Sequence, residues 1–385
     1  MIGFELVRRA APSRHMQVLA PVQAVLLTLL AGLALFAALG QDPLRAFHEF
    51  FIAPVSSANG LSEWLLKASP LCLIGLGLAV AYRANVWNIG AEGQMYIGGV
   101  CATGLAIHFQ DSWGPFLLPA MIVAGALGGM FWASITALCR ARFNASEILV
   151  SLMLTYVANM VVKYLVFGPW QDPQANNFPL TVEFQDDALF PLFAALGWEW
   201  FEGARLNLSI VITLVAIPLA WFFCERTFAG FQLAVAGVAP AAARYAGFSA
   251  PRAVWVAMLA SGGAAGLAGV SEVAGPIGQL NDRWTPEYGF TAIIVAALAR
   301  LNPLAVPFAA LLMALLYLGG ESVQIELQLP KSISQVFQGL LLMFLLGSEV
   351  LVRFRLRRRR EGGSVQATER SVDAGARRSP GEGQR

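Results

Sequence analysis

The chain has 385 residues, 57% of them hydrophobic and 13% charged, with a formal net charge of +2 at pH 7. Soluble domains carry about 25% charged residues, so this composition excludes an ordinary soluble enzyme, and nothing in it points to a nucleic-acid partner. Uncharged runs over 19–39, 93–110, 112–139, 206–224, 253–271, 301–320 and 332–348 are continuous and not alternating, which predicts membrane-spanning helices and excludes a β-barrel.

Residues 1–18 carry Arg8, Arg9 and Arg14 and are expected to be a cytoplasmic N-terminus. The apolar run that follows is longer than the core of a cleaved signal, which has about 7 to 15 residues, so it is read as a retained first helix. Ten membrane segments are predicted, at about 19–39, 64–82, 93–110, 115–138, 146–167, 206–223, 253–274, 288–300, 303–320 and 333–352, within a membrane domain over 19–352. The eighth is too short to cross a core of about 30 Å at 1.5 Å per residue, and is expected to be broken or re-entrant.

With the N-terminus inside, twenty Lys and Arg fall on the inner side and six (Arg45, Lys67, Lys163, Arg205, Arg283, Lys331) on the outer side. The positive-inside rule then puts both termini in the cytoplasm. Residues 168–205 form an acidic, Trp-containing outer loop, residues 224–252 the longest inner loop, and residues 353–385 a basic tail expected to be disordered.

Three stretches carry polar residues where apolar ones would be expected. "NVWNIGAEGQMYIGG" (85–99) interleaves Asn88, Glu92 and Gln94 with glycines, next to Arg83. Ionisable groups at membrane depth mark pathways or partnered sites. The plainer reading is a short inner loop, with Glu92 neutralised by Arg83 or capping the helix that starts near residue 93.

"GVAPAAARYAGFSAPR" (237–252) predicts a short inner helix over 240–246 stopped by Gly247. Its face is mostly Ala, too weak to anchor in lipid, so a protein partner is expected. In "LNDRWTPEYGFTAIIVAALARLNPLAVPFAALLMALLYLGGESVQ" (280–324), Tyr288 and Phe290 open a short helix, and the turn at Arg300-Leu301-Asn302-Pro303 enters the next span. Two interrupted segments, near 83–93 and 275–303, point to a transport pathway; a structural kink is the alternative. No G-x-x-x-x-G-K-[ST] occurs, so ATP is not hydrolysed by this chain. The four cysteines and three histidines have no ligand spacing, and no metal is expected.

"NIGAEGQ" (88–94), "SEILVSLMLTYVA" (146–158), "AARYAGFS" (242–249) and "YGFTAIIVAALARLNPLAVPFAALL" (288–312) together resemble the permease subunits of ABC importers, in the branch handling ribose, other simple sugars and nucleosides. Trp87 stands where relatives usually carry Phe. The resemblance, over about 20–352, implies an all-α permease in a bacterial inner membrane that provides a pathway for a nucleoside or simple sugar. It implies a cytoplasmic ABC ATPase that binds ATP and Mg, a second and non-identical permease, and an external binding protein or lipoprotein; no cofactor is expected on this chain.

In this resemblance Ala243, Arg244, Tyr245, Ala246 and Gly247 form the coupling helix to the ATPase. Asn88, Glu92, Gln94, Tyr288, Phe290 and Asn302 are the pathway or helix-break candidates. An ion-coupled carrier using Glu92, Glu147 or Glu272, and an intramembrane enzyme, stand as the competing readings.

Overall fold

The structure is a computed structural model that describes residues 4–8, 14–197, 203–330 and 332–358. Its helices are α1 (Arg14–Ala38), α2 (Pro43–Phe51), α3 (Ala58–Arg83), α4 (Ala91–Phe109), α5 (Leu117–Phe143), α6 (Glu147–Val166), α7 (Ser209–Arg226), α8 (Phe228–Val238), α9 (Pro240–Tyr245), α10 (Ala250–Glu272), α11 (Tyr288–Leu298), α12 (Val306–Glu326) and α13 (Ile333–Arg353). Each of the ten predicted segments coincides with one of them. Among the described residues, seven helices are long and apolar enough to cross a membrane: α1, α3, α5, α6, α7, α10 and α12. The ten crossings are therefore not all established by length and composition. α4 opens with Glu92 and Gln94, α11 has only 11 residues, and the described apolar part of α13 is Ile333–Ser348.

The chain divides into two compact units, Met1–Thr28 with Met343–Arg385, and Leu29–Leu342. The first carries a two-stranded antiparallel ribbon, β1 (Phe4–Arg8) with β2 (Phe354–Arg358), in which Phe4 stands opposite Arg358. This corrects the expectation of disorder from residue 353. Helix α13 runs through Arg353, and Phe354 and Leu356 alternate with arginines, a period-two pattern that suits a strand. The part of the tail beyond 358 lies outside the described residues.

In the second unit, 83% of the apolar window of α3 is buried, against 17% for α7; α3, α4 and α10 therefore form the centre and α6 and α7 the rim. Small residues let the central helices approach. A Cβ on Gly98 would crowd the backbones of Gly266 and Gly125, so α4, α5 and α10 meet almost backbone to backbone. Helix α2 lies outside the predicted segments and starts where Asp42 accepts N–H bonds from Leu44 (2.9 Å) and Arg45 (3.4 Å), with Pro43 next. Its Phe50 stacks on Phe337 at 4.6 Å and meets Phe36 at 6.0 Å.

The ion pairs sort the helix ends as the charge count does. Arg83 meets Glu225 at 2.8 Å and Arg140 meets Glu147 at 3.3 Å, all at predicted inner ends. Lys67 meets Glu321 at 3.2 Å and Arg205 grips Glu63 through two bonds of 2.7 and 3.1 Å, all at predicted outer ends. That grip raises the Arg205 guanidinium above its ordinary pKa.

The outer loop is more than a solvated connection. Helix α10 ends in a π-helical turn, Val273–Ile277, and the loop clamps the strand of chain that follows it. Thr181 N–H bonds Leu280 O at 2.9 Å, Phe184 N–H bonds Gly278 O at 2.8 Å and Phe190 N–H bonds Ala274 O at 2.9 Å. Thr181, Phe184, Ala188 and Phe190 are buried beneath it. The tryptophans of this loop at 198 and 200 lie outside the described residues.

Candidate functional site

The two interrupted segments meet. The break between α3 and α4 is closed by a reciprocal amide pair. Asn88 Nδ2 donates to Gln94 Oε1 at 2.8 Å, and Gln94 Nε2 donates back to Asn88 Oδ1 at 3.0 Å. The second Nδ2 proton goes to Ser261 Oγ of α10 at 2.8 Å, and Gly90 N–H gives Oδ1 its second bond at 3.0 Å. Asn88 and Gln94 are both buried, at 0% and 1% exposure. All four hydrogen-bonding positions of Asn88 are thus filled, which is what a buried amide requires. The backbone leaves the helix here because Asn85 is left-handed, at φ 55°.

Glu92 lies one turn further, 1% exposed. One carboxylate oxygen accepts from the Thr285 hydroxyl and the other from the backbone N–H of Gly289. Gly289 is in the first turn of α11, whose own N-cap residue, Glu287, is left-handed and makes no side-chain cap. Glu92 therefore caps a helix through an N–H that lies 197 residues away in sequence. A Cβ on residue 289 would overlap the backbone of Glu92, so glycine is what allows the two helix starts to touch. This corrects both parts of the plainer reading. Arg83 is bound to Glu225 and to Leu301 O (3.1 Å), and the helix that Glu92 caps is α11, not α4.

Tyr288 is fully buried and packs edge to face on Tyr317 at 5.5 Å, and the Tyr317 hydroxyl bonds Pro286 O (2.7 Å) and Thr291 Oγ1 (2.6 Å). Phe290 is half-buried two positions further along α11. Asn302 is not brought into this group. It is exposed in the α11–α12 turn, where Arg300 and Leu301 are left-handed, and its Oδ1 accepts from Leu304 N at 3.1 Å. Sequence reading also missed Tyr96, Asn159, Trp284 and Thr285, which surround Glu92 from α4, α6 and the clamped strand. Their signal was weak: Tyr96 and Asn159 are an aromatic and an amide within apolar spans, and Trp284 and Thr285 lie among several polar residues ahead of α11.

At the predicted inner end, α8 and α9 fold under α3 and α10. Helix α9 ends in a Schellman turn: Phe248 N–H bonds Ala243 O at 2.9 Å and Gly247 N–H bonds Arg244 O at 3.0 Å, with Gly247 at φ +79°. Ala243 is the buried foot of the turn, while Arg244, Ala246 and Gly247 are exposed and Tyr245 is 97% exposed. Phe248 tucks edge-on against Phe228 (5.9 Å) and Phe231 (6.3 Å), fixing the turn to α8. A cavity of about 150 Å³ between α8 and the start of α10 is lined by Leu233, Phe248, Arg252 and Val256 among others. An aromatic held this far into solvent by a rigid base suits contact with another protein.

The site is thus a buried, paired helix junction in a helical membrane bundle, with a short exposed helix at one end. Residues 60–346 match the family described as "Branched-chain amino acid transport system / permease component", and the chain belongs to it. It is 35% identical to the glucose ABC transporter permease protein TsgB13 of Haloferax volcanii, over 87% of this chain and 89% of that one. It is 28% identical to the guanosine ABC transporter permease protein NupP of Bacillus subtilis, over 89% and 96% of the two chains. It is 27% identical to the nucleoside ABC transporter permease protein NupB of Lactococcus lactis, over 86% and 90%. In each of these organisms a second permease protein for the same named solute also matches, at 26%, 26% and 23% identity respectively. Permease components of ABC transporters are not themselves enzymes, and this chain is the transmembrane subunit of such a transporter.

Proposed function

We propose that this subunit serves the import of a nucleoside or a simple sugar across a bacterial inner membrane, with both chain termini on the cytoplasmic side. The carrying observation is the end-to-end likeness to permeases named for glucose, guanosine and nucleosides. On this reading an extracytoplasmic binding protein or lipoprotein delivers the solute, and ATP and Mg are bound by a separate cytoplasmic ATPase. The paired relatives in each organism support a second, non-identical permease as the other half of the pathway.

The coupling role falls on Ala243 through Gly247. A six-residue helix closed by a Schellman turn moves as one body, and Tyr245 gives a partner groove something to hold. Asn88, Glu92 and Gln94 then act as a structural joint: they keep the starts of α4 and α11 together while neighbouring helices rock. Membrane lipid covers the apolar outer faces of α6 and α7.

The test is to purify the tagged chain from native membranes and identify its partners by mass spectrometry, then to measure uptake by the reconstituted complex. Recovery of an ATPase and a second permease, with ATP-dependent uptake of a nucleoside or sugar, is the expected result. A chain that purifies alone and transports with a proton gradient but no ATP would overturn it.

A further inference from the structure

Nine buried side-chain polar atoms among the described residues have no hydrogen-bond partner, and two of them lie on side chains that touch one ring beside Glu92. Asn159 of α6 donates through Nδ2 to the Tyr96 hydroxyl at 3.3 Å, and the Trp284 ring stands edge to face on Tyr96 at 5.8 Å. The Tyr96 hydroxyl also reaches Thr285 and Glu92. Among the described residues, Trp284 Nε1 and Asn159 Oδ1 are buried atoms with no hydrogen-bond partner. One is a donor and the other an acceptor, both on side chains that touch Tyr96. A buried polar atom without a partner is disfavoured, so two beside one ring ask for a reason.

The surroundings of Trp284 look built. Trp284 is 4% exposed, and its Cη2 would stand 2.8 Å from a Cβ at position 99, so Gly99 makes room for the indole. The strand carrying it is held from the outer side by the bonds of Thr181 to Leu280 and Phe184 to Gly278. Asn159 is half-buried, next to the exposed Tyr156 and Met160 of the same helix, so its amide stands at the edge of the packed core.

We infer that Trp284, Tyr96 and Asn159 form a contact site for the transported solute, and that this site selects neutral, ring-shaped molecules with hydroxyl or amide groups. This rests on the importer reading above. The indole N–H donates to a hydroxyl or carbonyl oxygen, the Asn159 carbonyl accepts from a hydroxyl or amine, and the aromatic faces receive the ring. Phosphorylated solutes are rejected. The start of α11, which could otherwise hold an anion, already carries the Glu92 carboxylate, and no cation belongs to the group.

Two measurements on the full transporter test this. In membrane vesicles Asn159→Cys is exposed to a membrane-impermeant methanethiosulfonate, without nucleotide and after trapping with ATP and vanadate. Labelling above the rate of the four native cysteines is expected in at least one state, slowed by millimolar guanosine or glucose but not by their phosphates. Absence of labelling in both states would overturn the proposal. Trp284→Phe keeps one aromatic ring and removes the N–H with the pyrrole half of the indole, so uptake per assembled complex is expected to show a KM raised about fivefold; an unchanged KM would overturn the site. If the wild type moves neither nucleosides nor sugars, the importer reading fails, while the labelling still reports whether Asn159 meets an aqueous pathway.

Discussion

The junction of α4 with α11 and the turn after α9 invert ordinary burial in opposite directions. At the junction, Asn88, Glu92 and Gln94 are buried; at the turn, Tyr245 is 97% exposed. The junction is closed from within. Its amides pair with each other and its carboxylate ends another helix. The turn is closed only along its backbone and leaves its side chains outward. The difference separates a site that holds this chain together from one that leaves its side chains outward, where the proposed function puts a partner. In the first, polar atoms are buried because they complete each other; in the second, an aromatic is exposed, and the proposed coupling role puts its complement on another protein.

That contrast can be broken or sharpened by substitution. The largest effect is expected from Gly289→Ala, whose Cβ would overlap the Glu92 backbone. Overpacking against backbone costs about 3 kcal/mol, so thermal unfolding of the solubilised complex should start many degrees lower. Asn88→Ala comes next, since it strands Gln94, Ser261 and the Gly90 N–H in the interior. A loss of about 2 kcal/mol is expected, read as a lower midpoint, and an unshifted midpoint would break the comparison.

Tyr245→Ala should leave that midpoint within about 0.5 kcal/mol of wild type, as for an exposed side chain. Its co-purification with the ATPase should fall about tenfold, the loss of a typical aromatic anchor; full recovery of the ATPase would remove the docking role. Gly247→Ala strains one left-handed residue and should cost about 1 kcal/mol, with weaker ATPase recovery than stability alone explains. The smallest effect is expected at the outer ion pair. Lys67→Met should change the midpoint by less than about 1 kcal/mol, because partly exposed pairs contribute little.

Much of this was legible in the residues. Each of the ten predicted segments coincides with a helix, and the short eighth is the 11-residue α11. The helix over 240–246 with its stop at Gly247 followed from local rules, because a Schellman turn is written in consecutive residues. Helix α2 was missed although Asp42-Pro43 is a start signal, since its amphipathic stretch is short beside the spans that flank it. The partner of Glu92 was misread. Arg83 is nearest in sequence, but Glu225 and Leu301 O lie closer in space. Asn302 was grouped with the pathway or helix-break candidates; it stands in the break between α11 and α12, exposed and apart from the junction.

By itself the sequence determined which stretches avoid water, where helices start and stop, and which family the motifs resemble. These depend on hydropathy and on caps formed within a few residues. Tertiary structure alone decided that the two interrupted segments meet, that Glu92 ends α11, and that Trp284 and Asn159 share Tyr96. The reason is physical. A buried polar atom takes whichever partner packing brings within about 3 Å, and packing depends on contacts between residues far apart along the chain.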